Sequence, residues 1–365
     1  MLNGEDLQRP TYTCLRTIQE GSASICRKGM HEIFGKTVVQ KTISLLGTPD
    51  GVAHEPGLLE TFDHPHIVKV REAQFDPELR DVKGVTFVCD YYEGGSVLDA
   101  MREGHVFDID TTVVIACQVL DALAYLHGQT GYLHRDVKPG NILLDARRTR
   151  GCLGDLGSAA LADDSGYAKN NGGTPLYLDP AAIPTGRVSA QSDLYGLGVS
   201  MVEMLVGRFQ YETIDTDDLF DRLATGKRAL PNSAYDLAPE TPLAVAKIVR
   251  NLVHPDPAKR PKSAAEALRS LSSSRFISWN RKAGSGLTGE WEGSWPRHSP
   301  SARGYRVTVA KATQGARLGQ ASVTVFQRTS GGKWRRINEL CSYIPSDDSN
   351  SLKGLFRKVE RHAQA

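Results

Sequence analysis

Apolar and polar positions along the chain change their period after the first quarter. From Thr11 to about Val88 the signals are those of strands: Thr37–Ile43 is a compact β-branched run and Val85–Cys89 is another. Gly94-Gly95 breaks this pattern, and helical spacing follows. Val113, Ala116, Cys117, Leu120, Leu123, Ala124 and Leu126 recur mostly three and four apart behind Asp110, which the pattern predicts as an N-cap. Further apolar helices are predicted over Leu194–Leu205, stopped near Gly207, over Leu243–Leu252 and over Ser263–Leu271. Beyond Ser272-Ser273-Ser274 and Ala283-Gly284-Ser285-Gly286, which bracket a predicted linker, Tyr305–Ala310 and Ala321–Gln327 alternate like strands. Lys333–Leu340 suggests one more strand, and Ser351–His362 a closing amphipathic helix.

The expected organisation is a tail over 1–10, a β-rich lobe over 11–92, a helical lobe over 93–272, a linker over 273–289 and a small α+β domain over 290–365. Charge sharpens that division. The net charge of +2 averages two unlike parts: from Arg275 onward 16 residues are Lys or Arg against 6 Asp or Glu, leaving 28 basic and 36 acidic before it. Six cysteines lie scattered without CxxC spacing, which argues against a disulfide framework or a zinc site and for a reducing cytoplasm. The first ten residues hold an acidic pair and no apolar stretch, unlike a secretory signal, and no apolar run of about 18–20 residues is expected to cross a membrane.

Candidate chemistry concentrates in Tyr132–Leu144, Y-L-H-R-D-V-K-P-G-N-I-L-L. This stretch resembles the catalytic loop of protein kinases, with Lys138 typical of those that phosphorylate serine and threonine. Transfer of a phosphoryl group, which the resemblance implies, needs a positioned nucleophile and an offset of phosphate charge rather than covalent help. By that resemblance Asp136 takes the first task, Lys138 the second, and Asn141, five residues past Asp136, a metal ion. Gly154-Asp155-Leu156-Gly157, fourteen residues after Asn141, resembles the family's Asp-Phe-Gly motif with leucine for phenylalanine, which makes Asp155 the principal Mg²⁺ ligand.

The resemblance runs from about Thr11 to Leu271 and implies a bilobal kinase fold followed by the small α+β domain. It implies ATP with Mg²⁺ (Mn²⁺ as a substitute), a protein substrate, and serine/threonine kinase activity with autophosphorylation. Ile18–Cys26 aligns with the Gly-rich phosphate loop, but only Gly21 of its three glycines is present. Lys41 matches the strand lysine that holds the α- and β-phosphates, with Glu55 as its partner or Glu60 in its place, because Pro56-Gly57 places a helix start at Glu55. In the hinge, Cys89 takes the gatekeeper position, the backbone of Asp90 and Tyr92 faces adenine, and Ser96 the ribose.

Gly173–Pro180 resembles the segment that shapes the substrate groove, with Thr174 as a serine/threonine mark. The glutamate that ordinarily follows is Ala181 here, so Arg260, its partner in the family, is expected to meet Asp179 or another carboxylate. Asp193 matches the aspartate that props the catalytic loop from below. Arg135 implies a phosphate on the activation segment, for which mid-segment Ser165 is the expected acceptor. Three departures (the thinned glycine loop, Pro56 and Ala181) keep a pseudokinase scaffold as the rival reading. A kinase of small molecules shares the Asp-x4-Asn loop but lacks Lys138-Pro139 and Gly173-Thr174-Pro175. For the basic domain three roles stand: protein docking, a structural appendage, or binding of single-stranded nucleic acid through arginines interleaved with Trp279, Trp291, Trp295 and Trp334.

Overall fold

The computed structural model describes residues 12–20, 24–44, 55–75, 84–170, 172–296, 299 and 301–365, with main chain only at 19, 20, 24, 44, 55, 56 and 75. Five antiparallel strands build the first lobe: β1 (Tyr12–Glu20), β2 (Ser24–His31), β3 (Lys36–Ser44), β4 (Val70–Phe75) and β5 (Gly84–Asp90), in the order β1-β2-β3-β5-β4. Helix α1 (Glu55–Thr61) begins at Glu55 with Pro56 in its first turn, where proline's missing N–H is not needed. β5 lies between two strands and buries nearly every side chain, and the Thr42 and Thr86 hydroxyls meet across the β3–β5 pair at 2.7 Å.

The second lobe is helical, as its spacing predicts. It contains α2 (Val97–Arg102), α3 (Ile109–Tyr125), α4 (Ala182–Thr185), α5 (Ala190–Val206), α6 (Thr216–Ala224), α7 (Leu243–Leu252) and α8 (Ala264–Ser272). Short strands run between α3 and α5: β6 (Tyr132–Leu133) pairs with β9 (Ala160–Leu161), β7 (Ile142–Leu144) with β8 (Gly151–Leu153), and β10 (Tyr167–Lys169) with β11 (Arg187–Ser189). The N-cap of α3 is Asp108 rather than Asp110: Asp108 accepts the Thr111 amide at 2.7 Å, and Asp110 sits in the first turn. Continued by a π turn to Thr130, this helix is long and apolar enough to cross a bilayer, contrary to the sequence expectation. Its apolar residues Val113, Ile115, Val119, Leu120 and Leu123 are buried in the lobe's core.

The region predicted as a linker is largely part of the fold. Phe276, Ile277 and Trp279 are buried, and β12 (Asn280–Ser285) forms a hairpin with β13 (Thr288–Trp295) whose turn uses Gly284 and Gly286 at positive φ. The Ser, Gly, Lys and Arg of 273–289 hide three large apolar anchors from a reading by composition. The sheet continues through β14 (Arg303–Lys311), β15 (Gln320–Arg328) and β16 (Arg335–Arg336), while β17 (Ser342–Pro345) pairs with the start of β15. Strict alternation sends Tyr305, Val307, Val309, Ala321, Val323 and Val325 to one buried face. In α9 (Ser349–Gln364), Leu352, Leu355, Phe356, Val359 and Ala363 are buried, with Trp279 and Trp291 edge-on to Phe356.

This small domain shares one continuous apolar core with the helical lobe. Trp291 is fully buried and its indole N–H donates to Glu240 at 2.9 Å. Glu360 of α9 accepts from the Ile277 amide at 3.4 Å, and burial pushes its carboxyl up to about 7, against the backbone bonds from Ile277 and Leu243 and the charge of Arg357. A carboxyl raised in the folded state stabilises fully below its unfolded value of 4.5, and that contribution is lost as pH rises through about 7. The loss is on the order of 3 kcal/mol. Urea midpoints at pH 5 and pH 8 are expected to differ by less in Glu360→Gln than in the wild type, with the variant the more stable at pH 8.

Candidate active site

A cavity of about 840 Å³ lies between the sheet and the helical lobe, lined by Val39, Lys41, Cys89, Leu143, Asn141 and Asp155 among others. Lys41 reaches it from the middle of β3, where its neighbours across the ladders are Cys26 and Phe87. Its ammonium donates to Asp155 Oδ1 at 2.9 Å, joining the two lobes. Burial raises the Asp155 pKa, but the charge and hydrogen bond of Lys41 outweigh it and hold the carboxyl below its usual range. Gly21 lies outside the described residues, as does the Glu55 side chain; Glu60 is solvent-exposed on α1 and does not line the cavity.

The loop from β6 to β7 is held from beneath by Asp193, in the first turn of α5. Its carboxylate accepts the amides of His134 at 2.8 Å and Arg135 at 2.7 Å, and His127 Nε2 lies 2.8 Å away. Burial would raise the Asp193 pKa, but the histidine contacts prevail and lower it, so it stays ionised in the core. These two amide bonds fix Arg135 at φ +69°, a left-handed conformation that a non-glycine residue adopts at a cost of about 1 kcal/mol or more. His134 contributes by placing Nε2 3.0 Å from the Gly154 carbonyl, which ties this loop to Asp155.

Asp136, Lys138, Asn141 and Thr174 converge above that support. Asp136 Oδ2 accepts from Lys138 Nζ at 2.6 Å and from Asn141 Nδ2 at 3.0 Å, while Oδ1 accepts from Thr174 Oγ1 at 3.2 Å. Lys138 also donates to Thr174 Oγ1 at 2.7 Å. Asn141 spends its amide hydrogens on Asp136, leaving its carbonyl oxygen for the cavity, and the Gly154 amide donates to the Asn141 main-chain carbonyl at 2.9 Å. The Asn141 oxygen and the second Asp155 oxygen are thus hard donors on adjoining loops, which fits a small divalent cation with few protein ligands. Leu156 is fully buried in the apolar slot beside them.

In the hinge, the Asp90 carboxylate is tied to Arg71 by bonds of 2.9 and 2.5 Å, and the Tyr92 hydroxyl to Cys152 Sγ at 2.9 Å. Both residues line the cavity. Ser96, expected at the ribose, is also the buried N-cap of α2, its hydroxyl and amide both bonded to Asp99. Ser96 and Asp99, its capping partner, both line the cavity.

In the activation segment, the Arg135 guanidinium donates to the carbonyls of Ser158 and of Lys169, the latter at 2.8 Å. Ser165 donates to Asp163 at 2.6 Å and accepts from Arg187 at 3.0 Å, and Arg187 pairs with Asp163 at 2.5 Å. The Asp-Asp-Ser-Gly turn at 163–166 is legible in sequence as an Asx turn; Arg187 gives no sequence signal. Arg260 meets Asp179 in a two-pronged pair at 2.6 and 2.7 Å. A buried carboxylate the sequence reading passed over, Glu203, accepts from the hydroxyls of Tyr177 at 2.5 Å and Tyr211 at 2.7 Å and fixes the floor of the groove segment.

The family model described as the protein kinase domain matches residues 12–271. A mitogen-activated protein kinase kinase of Nicotiana tabacum is 28% identical over 215 residues, 57% of this chain and 57% of the relative. A RAC serine/threonine-protein kinase of Drosophila melanogaster is 26% identical over 269 residues, 71% of this chain and 41% of the relative. An SNF1-related protein kinase catalytic subunit of Arabidopsis thaliana is 25% identical over 239 residues, 63% of this chain and 47% of the relative. The chain spans about half the length of these curated relatives. Since the family match takes in β1 through α8 with Lys41, the catalytic loop and Asp155, the chain belongs to the protein kinase family.

Proposed function

We propose that this kinase transfers the γ-phosphoryl group of ATP to serine or threonine hydroxyls of proteins. The observation that carries the reading is the hydrogen-bonded group Asp136, Lys138, Asn141 and Thr174 beside a cavity that also holds the Lys41–Asp155 pair. Asp136 orients the acceptor hydroxyl and takes its proton as the oxygen bonds to the γ-phosphorus. The bond from that phosphorus to the β–γ bridging oxygen breaks, and its electron pair leaves on ADP. Lys138, already on Asp136 and Thr174, lies where the transferring phosphoryl charge develops, and Lys41 holds the remaining phosphates. Asp155 and Asn141 are the residues to hold Mg²⁺, which when bound neutralises phosphate charge.

Transfer of label from γ-³²P-ATP to the chain itself and to a generic basic protein tests this, with Mg²⁺ and with EDTA. Phosphoserine or phosphothreonine that requires the metal is expected. ATP binding without any transfer would overturn the reading in favour of a scaffold.

Autophosphorylation is expected at Ser165, which is exposed. Because Arg135 is already bonded to main-chain carbonyls, ordering of the segment does not wait on a phosphate there. Ser165→Ala is therefore expected to keep activity within about threefold of wild type, while peptide mapping loses the phosphopeptide. A loss of activity beyond tenfold would place Ser165 in control.

A further inference from the structure

We propose that the β16 end of the C-terminal sheet is a docking surface for a short acidic segment, rich in Asp and Glu, of a partner protein. The register places Gly304 opposite Arg328, and Phe326 and Gln327 opposite Arg336 and Arg335. Arg303, Arg328, Arg335 and Arg336 therefore lie at one end of three adjacent strands, Arg328 and Arg336 on the sheet face of Arg306 and Arg303 and Arg335 at the rim of the face of Tyr305, with Lys333 in the approach to β16. Among the described residues none of these five has a carboxylate within 4.0 Å; Arg336 donates to the Cys341 sulfur at 3.2 Å. Cations collected this way repel one another and give the domain no packing in return, whereas an anionic partner relieves the repulsion.

The cluster is built as well as charged. The guanidinium carbons of Arg306 and Arg328 lie 4.5 and 4.4 Å from the ring centre of Trp334. Gly304 makes room for this stack: a Cβ there would come within 3.0 Å of the Arg328 side chain and 3.3 Å of the Trp334 ring. A guanidinium stacked on an indole keeps its N–H edge free and loses less freedom on binding than a mobile one.

Two features favour a carboxylate-bearing peptide over a nucleic acid. Trp334 already carries two guanidinium groups, so it is not an open platform for bases. β16 is also the edge strand, with Arg335 and Arg336 on it, so an extended peptide has main-chain partners within reach of the cations.

The test uses the full chain without ATP, so its outcome is independent of catalysis. A fluorescein-labelled peptide of six Asp-Glu repeats is titrated by anisotropy, alongside a labelled single-stranded 12-mer DNA. The peptide is expected to bind with Kd of about 10 µM at 50 mM NaCl and about tenfold more weakly at 300 mM. Arg328→Glu/Arg335→Glu is expected to weaken it at least tenfold, and Lys311→Glu, at the opposite end of β14, by less than twofold. If the double variant melts early, Lys333→Glu, an exposed loop substitution, is expected to weaken binding about threefold with an unchanged melting curve. No peptide binding up to 1 mM, equal binding by the variants and wild type, or tighter binding of the DNA with the same sensitivity to the variants would each overturn the proposal.

Discussion

Asp136→Asn is expected to lower the rate of phosphoryl transfer by at least about 10³-fold while leaving the ATP dissociation constant within about threefold. The asymmetry follows from what the side chain touches. Asp136 is bonded to Lys138, Asn141 and Thr174 and not to Lys41, so the Lys41–Asp155 pair stays in place when it changes, and Asn141 keeps its bond to the residue's main-chain carbonyl at 2.8 Å. An amide at this position cannot take the hydroxyl proton. It also carries no charge for Lys138, and if its NH₂ takes the Oδ2 position it turns a donor toward the ammonium 2.6 Å away. Single-turnover transfer measures the first effect, and equilibrium binding of a labelled nucleotide the second. Loss of both together, with an unchanged melting curve, would mean that Asp136 organises the cavity rather than the acceptor.

Much of this site was legible because its chemistry is compact in sequence: Asp136, Lys138 and Asn141 occupy one loop, and one motif supplies Asp155. Lys41 was legible by its resemblance to the family's strand lysine and its distance from Gly21. What escaped the sequence is what depends on where distant main chain arrives. Arg135 has the same neighbours in sequence whether it meets a phosphate or the carbonyls of Ser158 and Lys169, and only the β6–β9 and β10–β11 pairings decide between them. Ser96 illustrates a different ambiguity, since a small polar residue after Gly94-Gly95 suits a ribose contact and a helix cap equally. Its bonds to Asp99 show the cap, which the sequence alone did not predict, at a residue that also lines the cavity. In the 273–289 segment a count of Ser, Gly, Lys and Arg gives no weight to Phe276, Ile277 and Trp279, the three buried side chains that anchor it.

Asp179→Ala is expected to cost about 3–5 kcal/mol of unfolding free energy. Arg260 is fully buried in its side chain and uses every donor: two N–H groups on Asp179, and the rest on the carbonyls of His254, Gln191 and Pro255. Removing the carboxylate strands a buried positive charge among neutral carbonyls. The same carboxylate also accepts from Ser192 at 2.8 Å and the Ala181 amide at 2.9 Å, so the end of the activation segment loosens from α5 with it. Two further variants separate charge from packing. Asp179→Leu/Arg260→Leu removes both charges and is expected to cost less than the single change, because a buried ion pair contributes little net stability over apolar residues of similar volume. Asp179→Ala/Ala181→Glu restores a carboxylate two residues on, at the position the family ordinarily uses, and is expected to recover at least half of the lost stability in urea denaturation. Failure of that rescue, with a large loss in the single variant, would mean that the chain around Ala181 has settled to fit Asp179 and that the guanidinium's partner cannot move along the segment without moving the backbone.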